Sequence, residues 1–158
     1  MEIVKQYNFE TGMEKLIARI GFSDHNYSAV VELPDEVIVV THKSFEGIKD
    51  ALRDSLKFSE EGHLENGDPI PGWVKNGYTV DFKMEISALL QYFDGIITRS
   101  ALSRITGINE RQLGHYATGY RKPRAKQRQR IIDGFHRLGK EFSSVEYFLF
   151  VSLFSFQM

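Results

Sequence analysis

The spacing of the apolar residues changes near residue 84, and this change most limits the folds open to the chain. Before it, apolar residues form short β-branched runs or alternate with polar ones, which is the pattern of β-strands. After it, apolar residues recur every three or four positions in segments separated by glycine, which is the pattern of short helices. The sequence therefore predicts an α+β protein whose sheet precedes an all-helical segment.

The first segment is predicted to fold in the order β-β-β-α-β. The letters "SDHN" between the first two strands indicate a hairpin loop, and an antiparallel meander is the simplest connection. A helical stripe beginning at Phe45, with Ser44 as N-cap and Gly62 as its end, predicts one helix packed on one face of the sheet. The predicted strands are 16–22, 27–33, 37–41 and 78–84, and a loop is expected at 63–77.

The second segment is predicted to be a compact bundle of four short helices. Gly95, Gly107 and Gly119 with Pro123 separate them. The last helix has an apolar stripe that we interpret as core packing. The predicted helices are 86–93, 99–106, 110–118 and 125–140, and the stripe is Ile131, Ile132, Phe135 and Leu138. The predicted domains are 1–84 and 85–144, followed by a hydrophobic tail at 145–158.

Charge is distributed unevenly between the two segments. Residues 1–84 have a net charge of −6, residues 85–158 have +5, and residues 99–140 alone have +9. Such asymmetry favours two modules with different partners, the basic one facing a polyanion. A solvated basic face is the alternative. The absence of cysteine excludes disulfides and thiolate metal sites, and with no signal-peptide pattern at the N-terminus we expect a cytoplasmic protein.

Residues 98–123 have the features of a helix–turn–helix. Thr98 and Asn109 are suited to cap two helices, Gln112 completes a capping-box-like pair, and Gly107 supplies the positive φ of a tight turn. Any αα-hairpin shares one or two of these features, so a purely structural hairpin is the alternative. The predicted core of the motif is Leu102, Ser103, Gly107, Ile108, Leu113 and Tyr116.

Docking of the second helix in a major groove would present its outward N-terminal residues to base edges. Arg111 suits guanine and Gln112 suits adenine, whereas His115 could be an ordinary surface histidine. Lys126, Arg128 and Arg130 could be a solvated face of the last helix. The predicted base-contacting residues are Asn109, Glu110, Arg111, Gln112 and His115, and the predicted phosphate-contacting residues are Arg99, Arg121, Lys122 and Arg124.

Two resemblances cover about residues 16–140. The stretch "TRSALSRITGINERQLGHYATGYRKP" resembles the lambda-repressor-like (XRE-type) helix–turn–helix, whose members carry "LxxxTGI", a capped helix and then "G…KP". Upstream, "ARIGFSDHNYSAVVELPD", "VTHKSFEGIKDALRDSLKFSEEG" and "GDPIPG" are similar in order to the HicB-type antitoxins. That family often has a glycine-cysteine turn after "LP", where this chain has "DEV".

The resemblance implies an antitoxin of a type II toxin–antitoxin system. It implies a truncated RNase-H-like N-terminal domain that blocks a small basic HicA-like, mRNA-cleaving toxin. It also implies a C-terminal domain that binds operator DNA and represses its own operon, as a homodimer or higher homo-oligomer. An acidic N-terminal segment agrees with a basic toxin.

Catalysis is not expected. Asp24, Asp35 and Glu36 lie in predicted turns, Asp81 lies on the polar face of a strand, and no pair has a spacing that forces convergence. The histidines have no metal-ligand or nucleophile spacing, so no metal and no cofactor are predicted.

The tail "VEYFLFVSLFSFQM" is too short to span a bilayer, so no membrane association is predicted, and we expect the tail to pack on the chain or on a second protomer. Two further hypotheses are a stand-alone repressor with a ligand-binding or dimerising N-terminal domain, and an adaptor that does not bind DNA.

Overall fold

A computed structural model describes residues 6–7, 12–65, 67 and 69–145. Its fold is α+β, as the change of apolar spacing predicted. The hydrophobic tail lies outside the described residues except for Val145. The elements in chain order are β1 (Gln6–Tyr7), β2 (Glu14–Ser23), β3 (Asn26–Glu32), β4 (Val37–His42), α1 (Phe45–Glu65), α2 (Gly72–Lys75), β5 (Tyr78–Met84), α3 (Ile86–Tyr92), α4 (Arg99–Thr106), α5 (Glu110–Ala117) and α6 (Ala125–Ser143).

The sheet contains the predicted antiparallel meander β2-β3-β4. Asp24 and His25 both have positive φ, 48° and 61°, so the β2–β3 connection is the two-residue turn that the twist of a hairpin favours. Strand β5 pairs in parallel with β2 on the side away from β3, with Ile17 opposite Asp81. The short strand β1 pairs with the start of β2 and was not predicted.

Helix α1 covers one face of the sheet. Ile48, Leu52 and Leu56 are buried against the inward side chains of β2, β3 and β4. The predicted N-cap is confirmed, because Ser44 Oγ accepts a hydrogen bond of 3.1 Å from the amide of Gly47. The predicted end at Gly62 was wrong, and the helix continues to Glu65.

The predicted loop 63–77 contains the last turn of α1 and the short helix α2. One buried side chain explains both. Trp73 of α2 is fully buried in the sheet core, and its ring packs edge-on against His63 and Tyr78. Burial of a whole indole outweighs the cost of about 1 kcal/mol for a glycine inside a helix. His63 therefore holds the last turn of α1 in place.

The helices α3 to α6 surround a second hydrophobic cluster, which includes Leu90, Leu102, Leu113 and Ile131. Helix α3 connects the two clusters, because its Ala88 belongs to the sheet core while Leu90 belongs to the helical one. The division of the chain at residue 84 stays a prediction. Within the described ranges, no helix is long and apolar enough to cross a membrane.

Candidate nucleic-acid interface

Helices α4 and α5 are joined by a turn whose geometry follows from three residues. Thr98 Oγ1 accepts a hydrogen bond of 3.1 Å from the amide of Ala101 and caps α4. Gly107 has φ +66° at the end of α4, and its amide bonds to the carbonyl of Ser103. Asn109 Oδ1 then accepts a bond of 2.8 Å from the amide of Gln112 and caps α5. Both predicted caps and the predicted turn glycine are present.

Four of the six predicted core residues of the motif are buried, and Gly107 in the turn is exposed. Leu102, Ile108, Leu113 and Tyr116 are all less than 5 % exposed, whereas Ser103 is only half-buried. Ile108 follows the turn directly, so its side chain fills the space between the two helices. Packing of these four side chains fixes the arrangement of α4 and α5.

Thr106 is a buried residue of the turn that the sequence analysis missed. Its hydroxyl donates a bond of 2.7 Å to the carbonyl of Leu102 and accepts one of 3.2 Å from the amide of Ile108. The hydroxyl therefore satisfies two backbone groups at the end of α4. The "TG" pair is the signal that could have identified it, because a threonine before a C-cap glycine can make this bond.

Two basic residues of α6 also stabilise the turn. Arg130 Nε and Nη2 donate bonds of 2.9 Å to the carbonyls of Thr106 and Gly107. Arg137 Nη2 donates one of 2.7 Å to the carbonyl of Ile105. These carbonyls are the unsatisfied end of α4, where a cation is favourable. Part of the positive charge of residues 99–140 is therefore structural.

The five predicted base-contacting residues differ in how free their side chains are. Asn109 is used as a cap, Gln112 Nε2 donates a bond of 2.7 Å to Tyr116 Oη, and the His115 ring packs on Tyr120. Glu110 and Arg111 are exposed. Arg111 therefore offers a guanidinium free to make a two-point contact.

Three of the predicted phosphate-contacting residues, Arg121, Lys122 and Arg124, are exposed in the loop between α5 and α6. The Arg121 amide donates a bond of 3.1 Å to the carbonyl of His115, and its guanidinium lies 5.9 Å from the Tyr120 ring centre.

The fourth predicted phosphate-contacting residue, Arg99, is half-buried beside α5 and has a carboxylate partner. Its Nε lies 3.6 Å from a carboxylate oxygen of Asp94. A Cβ at Gly114 would lie 3.0 Å from its Nη1. The structure thus brings three of the four predicted residues together in one loop.

This loop packs directly on the sheet. Gly119 has φ +74°, and a Cβ there would lie 2.5 Å from the carbonyl oxygen of Phe22. The amide of Phe22 in turn donates a hydrogen bond of 3.0 Å to Ser87 Oγ of α3. Between the loop and the open face of the sheet lies a cleft of about 730 Å³.

Acidic residues of the sheet segment make two arrangements. Asp81 lies between two lysines, 3.0 Å from Lys15 Nζ and 2.9 Å from Lys83 Nζ, and hydrogen bonds from these lysines lower its pKa.

Asp35, Glu36 and His63 converge, with potential ligand atoms within 4.8 Å of one another. This convergence was not predicted, because Asp35 and His63 are far apart in the sequence.

The cluster already has internal partners. His63 Nε2 lies 3.2 Å from a carboxylate oxygen of Asp35 and 3.6 Å from one of Glu36. Ser59 Oγ also donates a hydrogen bond to Glu36. These contacts connect the end of α1 to the β3–β4 turn and give the cluster a structural role.

Comparisons of the chain with protein-family models, curated proteins and solved structures found no match.

Proposed function

We propose that this chain is a DNA-binding repressor of its own operon and the antitoxin of a type II toxin–antitoxin pair. The observation that carries the first half is the capped α4–Gly107–α5 unit, followed by the exposed Arg121–Arg124 loop. A rigid helix pair with a free basic loop beyond its second helix is the arrangement that helix–turn–helix proteins use on duplex DNA. In this proposal β2 to β5 and α1 form the truncated RNase-H-like domain.

Docking would place the N-terminus of α5 in the major groove. Arg111 is exposed there, and its guanidinium can donate two hydrogen bonds to the O6 and N7 atoms of guanine. Arg121, Lys122 and Arg124 would contact phosphates on the flanking backbone. The salt bridge of Arg99 to Asp94 would have to open before Arg99 reached a phosphate, so Arg99 is the weakest of the four predicted contacts.

The second half of the proposal rests on the surface of the sheet segment. Val39 on the edge strand β4 and Phe58 on α1 are 59 % and 78 % exposed. Glu36 and Asp54 lie beside them around a groove between β4 and α1. An exposed apolar patch with an acidic rim suits a basic protein partner, such as a HicA-like toxin.

The DNA half is tested by binding to a duplex from upstream of the chain's own gene. The triple variant Arg121→Gln, Lys122→Gln, Arg124→Gln removes three cations. It should reduce the slope of log K against log salt by about 2 to 3, at roughly 0.9 per phosphate contact. A control replacing Lys43, Lys57 and Lys75, which are exposed lysines outside α4 to α6, should change the slope much less. An unchanged slope in the first variant would contradict this docking.

The antitoxin half is tested by purifying the chain from its native host under its own promoter. A small basic protein should co-elute in stoichiometric amount and cleave RNA once separated. Phe58→Asp should release that partner and leave DNA binding intact, because the groove that Phe58 lines includes no residue of α3 to α6. Purification of the chain without a stoichiometric partner would contradict the antitoxin half alone.

The second candidate is a stand-alone repressor with a ligand-binding N-terminal segment. The observation that favours it is the cleft between the sheet and the α5–α6 loop, which is built from both segments. The two candidates share their DNA behaviour, so co-elution of a toxin distinguishes them.

A further inference from the structure

The cleft between the sheet and the helices has a strongly cationic wall. Of the described residues that line it, five are cationic and one, Glu85, is acidic. The cations come from both sides of the cleft, from the sheet and from the α5–α6 region. They are Arg19, Lys83, Arg121, Lys122 and Arg128.

These five cations are not equally available. Arg19 pairs with Glu32, and Lys83 lies 2.9 Å from Asp81, and neither acid lines the cleft. Arg121, Lys122 and Arg128 form no ion pair with any carboxylate of the described residues. Three like charges around one concavity repel each other, and a bound anion would relieve that repulsion.

The lining of the cleft has an apolar part beside Ser23, Ser28 and Ser87, and we call this apolar part its floor. Phe22 and Val30 of the sheet, Met84 at the end of β5, and Leu89 and Ile132 of the helices line it. The volume of about 730 Å³ lies within the range of about 300–1,000 Å³ typical of small-molecule sites. An apolar floor beneath a cationic rim suits a ligand with an uncharged ring at one end and phosphates at the other.

We propose that this cleft binds a nucleotide-like ligand, with its phosphates on Arg121, Lys122 and Arg128 and its ring on the apolar floor. The close contact of Gly119 with Phe22 fixes the position of the α5–α6 loop against the sheet. The cleft is therefore formed before the ligand binds. This site does not depend on the proposed DNA binding. One consequence does, because Arg121 and Lys122 cannot hold the ligand and a DNA phosphate together, so the ligand should compete with DNA.

The experiment is a calorimetric titration of the full chain at low salt with ATP and, separately, with tripolyphosphate. ATP should bind at least about tenfold more tightly than tripolyphosphate, because only ATP has a ring to cover the floor. The double variant Lys122→Gln, Arg128→Gln should weaken ATP binding at least about tenfold, through loss of charge-assisted hydrogen bonds.

The matched control is Arg124→Gln with Lys126→Gln. It removes the same charge from neighbouring positions that do not line the cleft, so ATP affinity should change less than about twofold. All four side chains are exposed, and both variants should fold. Three results would each overturn the proposal: no ATP binding, equal loss in the two variants, or tripolyphosphate binding as tightly as ATP.

A DNA measurement separates this proposal from the proposed function. ATP should weaken binding of the wild-type chain to its operator. The single variant Arg128→Gln, which keeps all the proposed DNA-contacting residues, should lose most of that response. If the chain binds no DNA, the repressor proposal fails and the ATP titration still decides the cleft. If DNA binds and ATP binds without competing, the assignment of the phosphates to Arg121 and Lys122 is wrong.

Discussion

Arg130 Nη2 donates a hydrogen bond of 2.9 Å to the carbonyl of Gly107, the residue at which the chain turns from α4 towards α5. Arg130 Nε makes a second bond of 2.9 Å, to the carbonyl of Thr106. We expect Arg130→Ala to lower the free energy of unfolding by about 1–3 kcal/mol, because two carbonyls at the end of α4 lose a charged donor. Urea denaturation of the variant measures this loss.

The control for Arg130 is Lys126→Ala, one turn earlier on the same helix. Lys126 is exposed, and within the described residues it makes no hydrogen bond or ion pair, so its loss should cost less than about 0.5 kcal/mol. Equal effects of the two substitutions would show that Arg130 contributes only helix propensity and charge.

Position 107 favours glycine for two reasons, its backbone conformation and the nearby side chain of Arg130. At φ +66° an L-residue is strained, and a Cβ would overlap the guanidinium of Arg130. Gly107→Ala should therefore destabilise the fold by about 1–3 kcal/mol. Gly139→Ala in α6 should stabilise it by about 0.5–1 kcal/mol, because nothing lies within 4 Å of its Cβ position. Thermal melts of both variants test this difference in sign.

Elements with local signals were predicted closely. The alternation of Tyr78, Val80, Phe82 and Met84 gave the bounds of β5, and the caps at Thr98 and Asn109 gave the starts of α4 and α5. In each case the cause lies within a few residues of the effect. Period, caps and turn glycines are all short-range properties of the chain.

Three features that depend on contacts between distant residues were not predicted. Trp73 forms α2 because the sheet core buries its indole, and Arg130 reaches Thr106 across 24 positions. The cleft likewise requires the approach of Gly119 to Phe22. No local pattern indicates which basic residues cap a helix and which remain free for an anion. Only the structure shows that Arg130 bonds to the end of α4 whereas Arg128 lines the cleft.

Asp81 should make stability depend on pH in the acid range. Hydrogen bonds from Lys83 and Lys15 lower its pKa below the usual 3.8. A carboxyl whose pKa is lower in the folded state stabilises the fold above its unfolded pKa, and this contribution disappears as the pH falls through the folded pKa. Asp81→Asn should therefore cost about 0.5–1 kcal/mol at neutral pH, the size expected of a partly exposed pair.

The pH test compares urea denaturation of wild type and Asp81→Asn at neutral pH and at pH values below 3.8. The difference between the two proteins should shrink as the pH falls. Asp54→Asn is the control, because Asp54 is exposed and forms no ion pair within the described part of the chain. A difference for Asp81→Asn that stays constant at all pH values would contradict the ionic explanation.

Arg111 and Arg121 should affect DNA binding in different ways. Arg111 is exposed in the first turn of α5 and Arg121 is exposed beyond the end of that helix. In the proposed docking Arg111 would meet base edges and Arg121 would meet the DNA backbone. Arg111→Ala should reduce binding to the operator by about 1–3 kcal/mol and change binding to random duplex little. Arg121→Gln should weaken binding to both duplexes by a similar factor, because a phosphate contact does not read sequence.

Fluorescence anisotropy with the two duplexes at matched salt measures both ratios of affinity, and Arg104→Ala on the exposed side of α4 is the control. An Arg111→Ala variant that loses the same affinity for both duplexes would place this side chain on the backbone and not in the groove.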